Sequence, residues 1–328
     1  MKEGRALLIR AHPTPMEGVY FFITHMKTFI AIGPLLIFIA AVLWGFDGIL
    51  RRSLYSLPPI TIVFFEHLIG LIILSPFLIK LWVSEKLSSR EWGVITLIAL
   101  LSGVLGTLFF TSALLAVSFI PFSVVFLVQK LQPIFAVTSA ALFLRERITK
   151  HFIVWAVIAL VAGYFVTFPN GIVNFGEGGG YVLAALYALL AAIAWGSSTA
   201  FSRSLLIQHS NTFITGLRFL LTVPIALVFL LFMGSTESLH AISLEQLGIL
   251  VLIAVSTGML ALWIYYKGLS KTRASIASII ELAFPMTAVF IDYFLYGTTL
   301  EITQYLAAAV LLFAAYKVAT LKQEVPQT

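Results

Sequence analysis

Residues 40–45 read Ala-Ala-Val-Leu-Trp-Gly, and residues 191–196, which lie 151 positions later, read Ala-Ala-Ile-Ala-Trp-Gly. The same offset aligns Arg-Ser-Leu at 52–54 with Arg-Ser-Leu at 203–205. After one gap, an offset of 152 positions aligns further identical residues: Gly106 with Gly258, Pro133 with Pro285, and Tyr164 with Tyr316. Chance similarity between two alanine-rich segments does not reproduce these features in one order. The sequence therefore predicts an internal duplication.

The composition indicates that this duplicated chain lies in a membrane. Of its 328 residues, 60% are hydrophobic and 10% are charged, and the mean hydropathy is +1.05. Soluble domains are roughly 25% charged. The chain contains no cysteine, which excludes a disulfide framework, a thiol nucleophile and a zinc-thiolate site.

Continuous apolar runs of about 20 residues, the length that crosses a hydrocarbon core of ~30 Å, predict transmembrane helices. They exclude the short alternating strands of outer-membrane barrels. The predicted spans are 29–50, 60–80, 92–115, 121–143, 148–168, 180–202, 212–233, 245–267, 274–296 and 302–320. The predicted fold is an all-α integral membrane protein with ten transmembrane helices.

The basic residues predict the orientation, because short cytoplasmic loops are enriched in Lys and Arg. With the N-terminus in the cytoplasm, 16 of the 20 basic residues lie in cytoplasmic segments. Arg51 and Arg52 then lie in an outer loop, and Lys130 and Arg218 lie within spans. An even number of spans places the C-terminus in the cytoplasm too. The formal charge of +6 is spread along loop edges, which excludes nucleic acid as a partner.

Each half holds five spans, an odd number, so the second half enters the membrane in the opposite orientation to the first. Inverted-topology repeats of this kind build secondary transporters, in which the substrate site lies near the bilayer midplane between the halves. The predicted units are an N-terminal cytoplasmic tail (1–28), a first five-helix repeat (29–168), a linker (169–179), a second five-helix repeat (180–320) and a C-terminal tail (321–328).

The first 27 residues have two interpretations. They form a cytoplasmic tail that is broken by Pro13 and Pro15, or translation begins at Met26, directly before Lys27 and the first span. The apolar stretch 19–24 is too short for the core of a signal peptide. The sequence leaves both interpretations open.

Each half carries Trp-Gly late in its first span and a proline in the middle of its fourth, and the first half adds Phe-Leu-Arg-Glu at 143–146. This arrangement resembles the EamA-type unit of the drug/metabolite transporter superfamily over nearly all of residues 29–320. The resemblance implies an inner-membrane exporter or exchanger of small metabolites. One departure is that Glu146 has no counterpart in the second half, where Gly297 and Thr298 stand.

Ionisable side chains inside the spans are the candidate functional residues, because each costs roughly 2.5–3.5 kcal/mol at a helix centre on insertion scales. Lys130 is the deepest of them, nine residues or about 14 Å of helix rise from Pro121. The predicted substrate-binding residues are Lys130, Glu281, Trp44, Trp195, Gln129 and Gln132.

The repeat offset aligns Gln129 with Glu281, beside the predicted helix breaks at Pro133 and Pro285. A proline frees the carbonyl group four residues before it, which inside a membrane must face protein or a water-filled cavity. Lys130 would then hold a substrate carboxylate or phosphate, and Glu281 an ammonium group or a coupling proton. The alternative is a Lys130–Glu281 ion pair that stabilises the closed core and contacts no substrate.

Asp47, Glu66 and His67 are the predicted coupling or gating residues. For Asp47, an ion pair with Arg51 one turn later is the alternative. Neighbouring positions on a helix point about 100° apart, so we do not expect Glu66 and His67 to face one cavity. Two further charged residues are expected near a membrane interface: Arg218 and Asp292.

Tryptophan and tyrosine residues divide into two predicted groups. Trp44 and Trp195 are expected to line a cavity, because the glycine after each lets another helix or a ligand approach closely. Tyr265 and Tyr266 stand beside Lys267 and are expected in the aromatic belt at the cytoplasmic interface.

The sequence carries none of the zinc, nucleophile-elbow or ATP-loop motifs of a membrane enzyme or a pump. It therefore predicts no enzyme, no cofactor, no metal and no ATPase subunit. The predicted function is secondary transport of small metabolites across the inner membrane by alternating access. Amino acids rank first, since a midplane cation and an opposing acid would hold both ends of a zwitterion. A channel or a lipid-translocating conduit is the alternative, and proton coupling against exchange is left open.

Overall fold

The computed structural model describes residues 32–116, 122–144, 148–172, 180–272, 277, 280–281 and 283–320. Both predicted tails, most of the predicted linker, and Arg145 and Glu146 of the Phe-Leu-Arg-Glu motif lie outside the described residues. Within those ranges the chain forms helices and no strand, which confirms the all-α prediction.

The first half of the chain contains seven α-helices and one π-helical segment among its described residues. They are α1 (Ile32–Arg52), α2 (Pro59–Trp82), α3 (Ser89–Ile98), the π segment Ala99–Leu105, α4 (Gly106–Leu115), α5 (Phe122–Val128), α6 (Gln132–Leu144) and α7 (Lys150–Thr167). The described part of the second half contains α8 (Gly180–Leu206), α9 (Asn211–Phe232), α10 (Leu244–Ile253), the π segment Ala254–Gly258, α11 (Met259–Leu269), α12 (Ala283–Leu295) and α13 (Ile302–Thr320).

Seven helical stretches in the described ranges are long and apolar enough to cross a membrane. They are Ile32–Arg52, Pro59–Trp82, Ser89–Leu115, Lys150–Thr167, Gly180–Leu206, Asn211–Phe232 and Leu244–Leu269. Shorter apolar helices lie at 123–136, 283–295 and 302–318, inside the remaining three predicted spans. Large apolar side chains such as Phe232, which is 91% exposed, point outward and suit contact with lipid.

Each of the two longest composite spans begins with a capping box and changes to π-helical geometry at its middle. Ser88 and Glu91 cap α3, and Ser243 and Gln246 cap α10, so that each pair satisfies two backbone N–H groups at a helix start. The π segments that follow overlap when the chain is shifted by 152 positions. Such segments expose backbone groups and often occur at functional sites.

The predicted helix breaks at the two prolines are present and have matching geometry. The Gln132 N–H group bonds to the Gln129 carbonyl, and the Phe284 N–H group bonds to the Glu281 carbonyl at 3.0 Å. Both bonds span three residues instead of four, because proline cannot donate to the carbonyl four positions before it. The two breaks are related by the repeat.

Helix packing follows the duplication. The helix α1 packs against α11 and α12, and α8 packs against α4 and α6, while α2 packs on α9 and α7 on α13. The Trp-Gly glycines lie at two of these contacts, α1–α12 and α8–α6: a Cβ atom on Gly45 would lie 2.5 Å from Thr287, and one on Gly196 would collide with the backbone carbonyl of Gln132. Here the glycines admit another helix, as expected from the sequence.

Candidate functional site

A cavity of about 130 Å³, counted as the space that the centre of a water molecule can occupy, lies between residues of both halves. Its lining carries three acidic side chains and three Lys or Arg side chains, so the formal charges cancel with His67 neutral: Asp47, Glu66 and Glu281 against Arg51, Lys130 and Arg218. Aromatic side chains form much of the remaining wall: Trp44, Phe110, Trp195, Phe219, Tyr265, Tyr266 and Phe284. The sequence predicted several of these residues, and it missed others.

Arg51 lies at the centre of an ion-pair cluster in the first half. Its Nε donates to Asp47, its Nη2 donates to Glu66 Oε2 at 2.8 Å, and its Nη1 donates to the Thr111 hydroxyl at 3.0 Å. Arg51 is only 3% exposed. Its placement in an outer loop was therefore wrong: α1 continues to Arg52, and the two carboxylates hold Arg51 inside the protein. Asp47 therefore forms the ion pair with Arg51 that was the alternative prediction.

The second π segment closes this cluster from the opposite half. The Thr257 hydroxyl donates to Asp47 Oδ1, so that both oxygens of that carboxylate are engaged. A Cβ atom on Gly258 would lie 2.6 Å from Glu66 Oε1, so only glycine leaves room for the carboxylate there. The cluster therefore ties α1 and α2 to the π segment Ala254–Gly258.

Arg218, from the second half, meets the first π segment instead. Its Nη2 donates to the Ser102 carbonyl at 2.9 Å, and its Nη1 donates to the Tyr266 hydroxyl at 3.1 Å. The Ser102 carbonyl also accepts hydrogen bonds from Trp195 Nε1 at 3.0 Å and the Thr107 hydroxyl at 3.1 Å. A carbonyl that is freed by π geometry thus becomes a shared acceptor in the cavity wall.

Lys130 and Glu281 both line the cavity but do not form the ion pair that was the alternative prediction. Among the described residues no carboxylate oxygen lies within 4.0 Å of Lys130 Nζ. This atom donates instead to the Glu281 backbone carbonyl at 2.9 Å and lies 4.9 Å from the centre of the Phe284 ring. The Glu281 carboxylate accepts a hydrogen bond from the Tyr265 hydroxyl at 2.7 Å. The carbonyl that Pro285 frees is therefore the one that holds the lysine.

Aromatic contacts join the two halves around the same space. The rings of Trp44 and Tyr265 lie 5.0 Å apart, and those of Phe110 and Trp195 lie 5.1 Å apart. Both distances are typical of tilted aromatic pairs. Trp44 and Trp195 line the cavity as the sequence predicted.

Glu66 and His67 both line the cavity. This differs from the expectation that two neighbouring positions on a helix would not face one cavity. Glu66 reaches toward Arg51. The His67 ring is tilted by 34° against the Phe219 ring, with centres 4.8 Å apart, and its Nδ1 lies 2.8 Å from the Val63 carbonyl. Side chains that point about 100° apart on α2 therefore both border the cavity. Gln132 lines the cavity as well, whereas Gln129 is buried outside its lining.

Three interface expectations were wrong, and a fourth residue, Asp292, is buried. Tyr265 and Tyr266 are 7% and 2% exposed and line the cavity, because their faces of α11 point inward although Lys267 is adjacent. Arg218 does not snorkel: the Ser102 carbonyl and Tyr266 hold it inside. Asp292 is 3% exposed and accepts a hydrogen bond from the Ser123 N–H group at 2.6 Å.

Sequence reasoning missed Arg51, Ser102 and Thr257 as members of the site. Arg51 carried a usable signal, since it follows Asp47 by four positions. Ser102 and Thr257 carried none, because their role depends on π-helical geometry that the apolar pattern does not reveal. In the part of the chain that the structure describes, no group of three His, Asp or Glu side chains is placed to hold a metal ion.

The EamA-like transporter family model matches the chain twice, over residues 31–168 and 182–320. The chain belongs to the EamA-like transporter family. This transporter is therefore a multi-pass membrane protein, and the family and its named relatives point away from an enzyme. The two matched stretches follow one another along the chain and are of nearly equal length.

Two curated relatives of this EamA-like transporter are named as transporters. "Riboflavin transporter ImpX" of Fusobacterium nucleatum is 36% identical over 292 residues, which cover 88% of this chain and 98% of the relative. An "Uncharacterized transporter" of Clostridium kluyveri is 24% identical over 277 residues, 82% of this chain and 87% of the relative. A solved crystal structure shares the fold, with a TM-score of 0.58 at 17% identity over 88% of this chain and 96% of the other.

Proposed function

We propose that this protein is a secondary transporter that carries a neutral, ring-containing solute of the riboflavin class across the membrane by alternating access. The observation that carries the proposal is the cavity between the halves, in which aromatic walls surround ionisable groups whose formal charges cancel. The similarity to a relative that is named a riboflavin transporter supports the choice of solute.

Riboflavin combines a flat three-ring system with a chain of hydroxyl groups and carries no net charge at neutral pH. Aromatic side chains stack on flat rings at little conformational cost. Hydroxyl and amide groups in the lining, such as those of Gln132 and Thr199, suit a hydroxylated chain. Because positive and negative groups balance over the whole lining, the net charge of the cavity does not favour a solute of either sign.

Amino acids, which ranked first from the sequence, find no support among the named relatives. Their prediction relied on a free cation and a free acid at midplane. Lys130 instead donates to a backbone carbonyl, and the Glu281 carboxylate accepts from Tyr265. A zwitterion would have to displace both partners.

The repeat arrangement that we propose is two inverted five-helix units, at 29–168 and 180–320, with both termini in the cytoplasm. Exchanging the halves converts the α1–α11 contact into α8–α4 and the α1–α12 contact into α8–α6, while α2–α9 and α7–α13 map onto themselves. This is the pattern that a twofold relation between the halves requires, and it supports rocking of one half against the other.

Single-cysteine labelling tests the orientation directly, since the chain has no cysteine of its own. Tyr55→Cys and Ile207→Cys lie in equivalent connections after α1 and α8, and both side chains are exposed, at 72% and 61%. A membrane-impermeant thiol reagent should label the first in intact cells and the second only after permeabilisation. Labelling of both from one side would overturn the inverted arrangement.

Riboflavin counterflow in proteoliposomes tests the function. Purified protein is reconstituted with internal riboflavin, and uptake of external radiolabelled riboflavin is followed with and without a pH gradient. We expect a transient overshoot that unlabelled riboflavin suppresses and that a panel of amino acids does not. A channel would equilibrate without overshoot, and overshoot only with amino acids would reject the flavin proposal. A response to the pH gradient would indicate proton coupling.

A further inference from the structure

Arg218 places a positive charge in the cavity wall that no described carboxylate neutralises. Its side chain is 7% exposed, and the structure shows no acidic oxygen within 4.0 Å of it in the described ranges. A guanidinium group has five N–H donors. One donor on each Nη atom meets Ser102 or Tyr266, and Nε is buried without any acceptor.

A buried charge without a counterion, and buried donors without acceptors, are both costly. Such a group suits a ligand that supplies acceptors when it binds. The other two cations of the cavity are already committed: Arg51 to two carboxylates, and Lys130 to a carbonyl and an aromatic face. Arg218 is thus the cation with the most donors left over for a solute.

The geometry of a guanidinium group narrows the class of acceptor. Two of its N–H groups point in parallel and match two neighbouring acceptor atoms, as in the contact of arginine with the O6 and N7 atoms of guanine. The isoalloxazine ring of a flavin has the same pair on one edge, the carbonyl oxygen O4 and the ring nitrogen N5. The rings of Tyr266 and Phe219 line the same cavity as Arg218, and the Arg218 guanidinium lies 5.9 Å from the centre of the Tyr266 ring.

We propose that Arg218 determines specificity by donating two parallel hydrogen bonds to adjacent oxygen and nitrogen acceptors on the ring edge of a flavin-like heterocycle. The inference rests on the proposed function, because it assumes that the cavity takes such a ring. On binding, the solute supplies acceptors to guanidinium N–H groups that the described residues leave without one. Ser102 and Tyr266 each engage one Nη atom and orient the group, and the bonds to the solute use the remaining N–H groups.

The test compares riboflavin with 5-deazariboflavin, in which a C–H group replaces N5 and the ring keeps its shape. Each compound competes with labelled riboflavin in counterflow. For the wild-type protein we expect riboflavin to inhibit at concentrations about tenfold lower or more, the usual effect of losing one hydrogen bond to a charged donor. In Arg218→Gln the ratio of the two inhibitory concentrations, 5-deazariboflavin over riboflavin, should fall toward one. In Arg218→Lys, which keeps the charge but loses the parallel pair of N–H groups, this ratio should fall in the same direction.

The ratio is measured within each variant, so it does not depend on expression or on the amount reconstituted. If a variant transports too slowly, quenching of flavin fluorescence on binding in detergent gives the same ratio. Arg90→Gln is the matched control: Arg90 is exposed, and its variant should keep the wild-type ratio.

Equal inhibition by the two compounds in the wild-type protein, or an unchanged ratio in Arg218→Gln, would overturn the inference while riboflavin transport stands. Failure of the wild-type protein to bind or transport riboflavin would overturn the proposed function, and this inference with it.

Discussion

Arg51 and Arg218 are two buried arginines in one cavity, and they are held in opposite ways. Arg51 is bound by Asp47 and Glu66, whereas Arg218 is bound by a backbone carbonyl and a tyrosine hydroxyl. Each is coupled to a π segment of the other half, through Thr257 at the Arg51 cluster and through the Ser102 carbonyl at Arg218. The duplication thus keeps the position of the π segment but not the chemistry of what it holds.

This difference separates a structural charge from an available one. An ion pair that is fully engaged within the protein fixes helices relative to each other but offers few donors to a solute. A guanidinium group that is held by dipoles keeps its charge and spare N–H groups for a ligand. We therefore expect the loss of Arg51 to affect mainly stability, and the loss of Arg218 to affect mainly transport.

Arg51→Ala should give the largest change in stability. It leaves Asp47 and Glu66 buried without their cation, and breaking a buried ion pair in this way costs about 3–5 kcal/mol. Thermal unfolding in detergent, followed by fluorescence-detected gel filtration, measures the effect. The exposed Arg90→Ala serves as control, and equal unfolding temperatures for the two variants would contradict a structural role for Arg51.

Removing the whole charge cluster should restore much of that loss. In the triple variant Asp47→Asn, Arg51→Met, Glu66→Gln no buried charge is left unpaired, so we expect recovery of about 2 kcal/mol or more relative to Arg51→Ala. The same unfolding measurement tests this recovery of stability. A triple variant that is less stable than Arg51→Ala would show that the carboxylates stabilise the fold by contacts other than the ion pairs.

Arg218→Ala should separate transport from stability. The Ser102 carbonyl keeps its bonds from Thr107 and Trp195, and the Tyr266 hydroxyl keeps the Ser202 hydroxyl at 3.1 Å, so little is left unsatisfied. We expect a stability change of about 1 kcal/mol, the usual net value of a hydrogen bond, and at least a tenfold loss of riboflavin flux. Unfolding and counterflow are measured on the same preparation. A large loss of stability with normal riboflavin flux would instead show that Arg218 has a structural role.

Gly258→Ala should have the smallest effect. The new methyl group would lie 2.6 Å from Glu66 Oε1 and would push that carboxylate away from Arg51, at a cost of about 1 kcal/mol. Gly248→Ala, where a Cβ atom meets nothing within 4 Å, is the matched control and should be neutral or slightly stabilising. Indistinguishable unfolding temperatures would mean that the second π segment does not position the cluster.

Periodicity, charge placement and the repeated Trp-Gly and proline positions were sufficient to predict an all-helical membrane transporter and most of the charged residues around the cavity. The hydrogen-bond and ion-pair partners of these residues were harder to predict. The Lys130–Glu281 ion pair does not form, because the helix break at Pro285 leaves the Glu281 carbonyl able to accept from Lys130 as well. The position of Tyr265 was wrongly predicted, because adjacency to Lys267 does not report which helix face points inward. Ser102 and Thr257 depend on π geometry, which hydrophobic pattern does not encode.

The most direct test of a flavin site at Arg218 is riboflavin counterflow by wild-type protein and Arg218→Gln, reconstituted at equal density. We predict overshoot in the wild-type liposomes and at least a tenfold lower initial rate in the variant, with similar unfolding temperatures for both. Wild-type overshoot that Arg218→Gln matches would contradict it.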